Sequence, residues 1–227
     1  MYPSSRSRKH NRKKVIIFDF DGVLADTFNT FYSLIKDCAK EIGLKLSPNQ
    51  YRGFFIGNVH TEYKKFIKDR EKLGTFLKIR KANYDKYYFG KKTEAKLFSG
   101  TGSLIEKTSK KNILAIASSG YTKNIKKLLG KSKTSFSLIL AGSDPKEIMI
   151  KEILNKFKKR ADETTMITDA LGDIKAAKRL GLKTIAVTWG FHDSKVLKKG
   201  KPDKLVKSFK ELEKLLLDPA LEKKFFQ

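Results

Sequence analysis

The chain has 227 residues, 40% hydrophobic and 33% charged, with a formal net charge of +26. At roughly 150 residues per domain this is one large domain or two small ones with enough apolar material for a core, which excludes a disordered or collagen-like chain; no run nears the ~20 apolar residues of a membrane span. The single cysteine, Cys38, excludes an internal disulfide and a cysteine-based zinc finger, and Met1 to Lys14 holds no apolar stretch of secretory type, so a soluble cytoplasmic protein with no membrane partner is expected.

Residues 1–13 read as a flexible basic arm, with Arg6, Arg8, Lys9, Arg12 and Lys13 and no acid. The run Val15 to Phe18 follows and ends in Asp19-Phe20-Asp21-Gly22. Short β-branched runs bounded by Gly and Asp predict buried strands. The design recurs: Ile113 to Ala117 ends in Ser118-Ser119-Gly120, and Ser137 to Ala141 ends in Gly142-Ser143-Asp144-Pro145. Thr164 to Thr168 ends in Asp169, and Lys183 to Val187 ends in Thr188-Trp189-Gly190. Helical spacing fills the intervals Thr101 to Lys110, Lys123 to Gly130, Lys146 to Phe157 and Leu171 to Gly181, with a last amphipathic helix from near Val206 to Leu217. Alternating strands and helices predict an α/β fold, a Rossmann-like parallel sheet covered on both faces. In such sheets the ligand site lies beyond the carboxyl ends of the strands, where each polar cluster falls. From about Thr27 to Leu97 the alternation breaks. Phe31, Leu34, Ile35 and Cys38, then Tyr63, Phe66, Ile67 and Arg70, recur at helical spacing and predict an inserted helical bundle. The expected organisation is an arm over 1–13, a core over 14–26 and 98–227, and a helical insertion over 27–97.

Four strand-end clusters carry candidate chemistry. Asp19 and Asp21 lie two apart at a strand end, so both carboxylates can reach one cavity. Held close, they repel unless a cation bridges them or one keeps its proton. Oxygen-only ligands favour Mg2+. A carboxylate can attack phosphorus, and a protonated neighbour can serve the leaving oxygen. A lone Asp-x-Asp also suits a solvated turn. Ser118-Ser119-Gly120 offers hydroxyls and backbone N–H groups before a helix, which bind anions or simply start a helix. Lys146 opens a helix after Asp144-Pro145, an unfavourable place for a cation unless an anion lies opposite. Asp169 and Asp173 sit on one side of the turn entering the next helix, where one can reach a metal and the other can orient a lysine. Together these supply the nucleophile, cation site and donors that phosphoryl transfer requires.

The stretch VIIFDFDGVLADT, Val15 through Thr27, resembles the first motif of the haloacid dehalogenase superfamily. ASSG at Ala117 to Gly120 resembles its second motif, Lys146 the third, and TDALGDIKAAKRLG from Thr168 to Gly181 the fourth. TIAVTWGF, Thr184 to Phe191, is similar to the strand and loop that follow in phosphoglycolate-phosphatase-like members, and the insertion sits where one subgroup carries a helical cap. The resemblance spans about residues 14–217. It implies a fold with a capped Rossmann-like core and a Mg2+-dependent phosphatase acting on a small phosphorylated metabolite through an aspartyl-phosphate. Asp19 would be nucleophile and metal ligand; Asp21 would be general acid/base with its carbonyl on the metal. Ser118, Ser119 and Lys146 would hold the phosphoryl group, Asp169 would complete the metal site, and Gly22 and Asp173 would support it. Thr168 stands where Gly is usual, Ser119 where Asn is common, and no Pro follows Lys146, so Lys151 is an alternative for the lysine role.

Two other readings remain. A phosphomutase of the β-phosphoglucomutase type shares the first-motif pattern. A polynucleotide-end phosphatase or RNA-associated protein would use the basic surface, since 42 Lys and 8 Arg face 24 acids and the segment 195–210 alone holds seven Lys. Against sequence-specific recognition, Arg is the minority; non-specific attraction to nucleic acid is expected from charge alone. A dehalogenase is disfavoured because those members resemble the pattern without the second Asp. Cys38 has apolar helical neighbours and reads as core. His10, His60 and His192 suggest no catalytic triad, and Arg52 and the lysines of the insertion carry no distinguishing signal.

Overall fold

The computed structural model describes residues 13–90, 94–218, 220, 221 and 225. The expected arm lies outside the described residues except Lys13, whose Nζ donates to the Ser109 carbonyl at 3.3 Å. In chain order the elements are β1 (Val15–Phe18), β2 (Ala25–Asp26), α1 (Phe28–Glu41), α2 (Pro48–Gly53), α3 (Val59–Phe66), α4 (Arg70–Tyr88), β3 (Lys96–Leu97), α5 (Thr101–Lys111), β4 (Ile113–Ser118), α6 (Thr122–Leu129) and β5 (Leu138–Ala141). They continue as α7 (Lys146–Phe157), β6 (Thr164–Thr168), α8 (Leu171–Arg179), β7 (Lys183–Val187), α9 (Ser194–Lys198), β8 (Lys204–Val206) and α10 (Phe209–Leu217).

Six strands form one parallel sheet in the order β5-β4-β1-β6-β7-β8. Strand β1 lies inside it, which is why all four of its residues are apolar and buried. Its side chains alternate between faces. Ile16 and Phe18 pack with Leu104, Ile105, Ile125 and Leu212, whereas Val15 and Ile17 pack with Met149, Ile150, Ile153 and Ala177. Helices therefore cover both faces, as the repeated strand-helix pattern requires. The register pairs Phe18 with Ile116 and with Ile167, so β1, β4 and β6 end side by side. Asp19 continues the ladder by one bond, its N–H reaching the Ile167 carbonyl at 2.9 Å.

The insertion has its own core of Phe31, Leu34, Ile35, Cys38, Ala39, Tyr63, Phe76, Tyr84 and Tyr88. Its helices start where side chains supply caps. Ser47 and Gln50 exchange bonds of 3.2 and 2.8 Å at α2, which also begins with Pro48. The Asp69 carboxylate accepts from Glu71 N and Lys72 N, both at 2.9 Å, at α4. The chain leaves for the insertion through β2 and returns through β3, which pair antiparallel as Ala25↔Leu97 and Asp26↔Lys96. The return is tied down by Phe98 N and Thr101 Oγ1, each 3.0 Å from the Leu24 carbonyl.

The C-terminal end differs from expectation. Val206 closes a strand rather than opening the last helix. It pairs with Val187 on β7, and the helix starts at Phe209 after Ser208, whose Oγ accepts from Glu211 N at 3.2 Å. The helix expected to reach Gly181 stops at Arg179, and Gly181 turns the chain with φ +79°. Among the described residues no helix is long and apolar enough to cross a membrane.

Candidate active site

The loop after β1 is a tight turn. Gly22 adopts φ +77°, its N–H bonds the Ala25 carbonyl at 2.8 Å, and Leu24 N bonds the Phe20 carbonyl at 3.0 Å. A left-handed glycine turns the chain straight back, leaving Asp19 and Asp21 at the mouth of the sheet. Asp19, Asp21, Ser119, Gly120, Lys146, Asp169 and Asp173 all line one pocket of ≈ 330 Å³ between the sheet end and the insertion.

Lys146 Nζ is the hub. It lies 3.1 Å from Asp19 Oδ1 and 2.9 Å from Asp173 Oδ2, and donates to the Ala117 carbonyl at 2.7 Å. Burial alone would lower the Lys146 pKa, but the carboxylates of Asp173 and Asp19 outweigh it and hold the ammonium above its ordinary value. Thr168 Oγ1 donates to Asp173 Oδ2 at 3.2 Å and accepts from Ala170 N at 3.1 Å, which fixes the carboxylate facing Lys146. Lys151 is exposed on α7 and does not line the pocket. Asp19 Oδ1 also accepts from Phe20 N at 2.8 Å. Burial pushes the Asp19 carboxyl well above the carboxylate range; Lys146 opposes the rise, while Asp173, Asp169 and Asp21 add to it.

Ser118 is buried behind the pocket wall. Its hydroxyl donates to Asp21 Oδ2 at 3.3 Å and accepts from Gly120 N at 3.0 Å. Ser119 rather than Ser118 faces the pocket. Burial pushes Asp21 up to about 6, and its Oδ1 is buried with no hydrogen-bond partner. Asp169 is pushed up to about 7 by burial, against the pull of the Phe191 N–H, which donates to its Oδ2 at 2.6 Å. Gly22 and Gly190 leave it room: a Cβ on either would lie 2.0 or 2.1 Å from Asp169 Oδ2.

Three carboxyls pushed up by burial, one with an orphaned buried oxygen, gather in this pocket. All-oxygen donors of this kind fit a hard divalent cation such as Mg2+. Among the described residues no three are already closed into a ready-made ligand shell.

Two groups escaped the sequence reading. His192 Nδ1 accepts from Leu171 N at 3.0 Å, so its Nε2 carries the proton and donates to the Arg52 carbonyl 2.9 Å away. Arg52 reaches back: its Nε donates to the Phe191 carbonyl at 3.0 Å, and its guanidinium covers the Phe28 ring at 3.9 Å. The pair joins the insertion to the loop that carries Phe191. Their partners lie 21 to 140 positions away, so no local pattern announces them. The insertion also rests on the start of α8, where a Cβ on Gly172 would lie 2.7 Å from the Gly57 carbonyl. Cys38 is buried in the insertion's core, as its neighbours predict.

Residues 16–187 match the family described as haloacid dehalogenase-like hydrolase. A phosphoglycolate phosphatase of Synechococcus elongatus is 26% identical over 205 residues, covering 88% of this chain and 95% of that protein. A pyrophosphatase of Oceanobacillus iheyensis, PpaX, is 24% identical over 210 residues, covering 88% and 94%. A solved haloacid dehalogenase-like family hydrolase from Streptococcus pneumoniae superposes with a TM-score of 0.73 at 22% identity, covering 95% of this chain and 99% of that one, a likeness of fold.

Proposed function

The chain belongs to the haloacid dehalogenase-like hydrolase family, and from that premise we propose that it is a Mg2+-dependent phosphatase of a small phosphorylated metabolite, working through an aspartyl-phosphate. The observation that carries this reading is one buried ammonium, Lys146, held 3.1 Å from Asp19 and 2.9 Å from Asp173 in the pocket that Asp21 also lines. That arrangement puts a carboxylate nucleophile, a fixed cation and a second carboxyl around one volume.

Asp19 attacks phosphorus, and the bond to the leaving oxygen breaks. Asp21, held at about 6 by burial, gives that oxygen its proton. Asp21 then takes a proton from the water that opens the acyl phosphate, returning Asp19. Lys146 and Ser119, with the Gly120 backbone nearby, place donors around the phosphoryl oxygens. Ser118 orients Asp21 through its 3.3 Å bond. Asp173 holds Lys146 in place. Asp19, Asp169 and the Asp21 carbonyl would hold Mg2+, which would supply positive charge to offset that of the phosphoryl group. In this reading 14–26 and 98–227 are the catalytic domain, and 27–97 is a cap that excludes bulk water from the pocket.

The test is hydrolysis of a generic aryl phosphate with Mg2+. Activity stops with a metal chelator, and Asp19→Asn loses at least ~10³-fold in turnover, since the nucleophile itself is gone. Full activity in Asp19→Asn overturns the reading.

A further inference from the structure

A cation of the pocket, Arg80, has no part in the chemistry above. Arg80, on α4, lines the cavity from the side of the insertion. Its Nε is buried without a hydrogen-bond partner. The rings of Tyr63, Tyr84 and Tyr121 surround the guanidinium, with its central carbon 5.9, 5.5 and 6.0 Å from their centroids. Aromatic faces stabilise a cation, and the Tyr63 hydroxyl takes one hydrogen bond from the guanidinium, which still leaves Nε without an acceptor. Of the other cations on the cavity wall, Lys146 sits between Asp19 and Asp173, Arg179 is paired with Glu147, and Lys175 is exposed to solvent. A desolvated guanidinium with a bare Nε is costly unless an oxygen acceptor comes to it.

The setting says where that acceptor would come from. Arg80 and Asp21 share the same enclosed space, closely enough that the guanidinium acts on the Asp21 carboxyl. Phe31, Ile35, Tyr51 and Val59 line the same space. A phosphate ester seated on Lys146 with its phosphorus at Asp19 would extend its leaving group toward Arg80. The guanidinium fork matches two oxygens of one carboxylate or phosphate.

We infer that Arg80 receives a second oxyanion, a carboxylate or a phosphate borne by the leaving group, and so selects dianionic-ended substrates over simple monoesters. This rests on the phosphatase reading. Arg80 is then a specificity-determining residue that takes no part in the phosphoryl transfer itself.

The experiment compares kcat/KM of the full chain with Mg2+ on three compounds. Phosphoglycolate carries a carboxylate, inorganic pyrophosphate a second phosphate, and 2-hydroxyethyl phosphate neither. At least one of the first two is preferred over the third by roughly thirty-fold or more, the usual discrimination when a buried charged donor loses its acceptor. Whichever is preferred identifies the oxyanion. In Arg80→Met that ratio falls toward one, through a higher KM for the oxyanion-bearing compound. The ratio is taken within one preparation, so the folded fraction cancels. Should Arg80→Met yield no folded protein, Arg80→Lys decides: it keeps the charge, loses the fork, and lowers the ratio several-fold. Equal kcat/KM for all three compounds in the wild type, or an unchanged ratio in the variants, overturns the assignment of Arg80 alone. Hydrolysis of none of the three, with no aryl phosphate turnover either, overturns the phosphatase reading and this inference with it.

Discussion

Asp169 is gripped between two glycines, Gly22 from the loop after β1 and Gly190 from the loop after β7. Gly190 does not adopt a positive φ, so its role is space rather than backbone freedom. In Gly190→Ala the new methyl would lie 2.1 Å from Asp169 Oδ2 and 2.4 Å from its Cβ. The aspartate must shift. Overpacking of this kind costs about 1–3 kcal/mol, and a displacement of ~1 Å at a reacting group costs ~10²-fold in rate. A thermal melt and aryl phosphate turnover read the two effects; wild-type turnover in Gly190→Ala would refute the close fit. At this scale two acids and a hydroxyl were legible in the sequence because short apolar runs stop abruptly at Asp19, Asp169 and Ser118. Arg80 and His192 were not. Each is a single polar residue in a chain rich in cations, and only folding reveals that one faces the pocket and the other fixes Leu171 and Arg52.

The elements at the far edge of the sheet show why some structure could not be read. Strand β8 has three residues, too few to display an alternation. Besides its pairing with β7, one acid anchors its entry. Asp203 Oδ2 accepts from Thr184 N at 2.7 Å and Thr184 Oγ1 at 3.0 Å, and pairs with Lys178 at 2.6 Å, joining β7, α8 and the entry to β8. Burial would raise the Asp203 pKa, but Lys178 and Thr184 hold it below the ordinary carboxylate value. A depressed carboxyl stabilises the fold above its unfolded pKa and ceases to do so as pH falls through the folded value. Asp203→Asn therefore loses about 1 kcal/mol near neutrality, a figure kept small because the group is a third exposed. The gap between variant and wild type closes below pH ~4. Denaturant unfolding at neutral and acid pH checks this; a gap that widens in acid would contradict the sign. The long sheet helices, by contrast, were plain from spacing alone, as were the strands that end in polar clusters.

For the whole molecule the dominant quantity is a net charge of +26. Composition established it but could not say what it serves. Most lysines are solvated, while the pocket concentrates Lys146, Lys175, Arg80 and Arg179 on its lining. A body of this net charge draws anions toward it from solution. The kcat/KM for an anionic phosphate ester is expected to fall by roughly ten-fold between low salt and ~0.5 M, where the Debye length drops to a few ångströms, with kcat nearly constant. A salt-independent kcat/KM would show that the charge plays no part in capture. Both ends of the helical insertion pass through the two-residue strands β2 and β3, side by side. The hydrogen-bond ladder of the large sheet thus never registers what is threaded between them. The segment between them can therefore lengthen or change without disturbing the register of the large sheet, so long as Arg52 keeps its grip on the Phe191 loop and Gly57 its seat on α8.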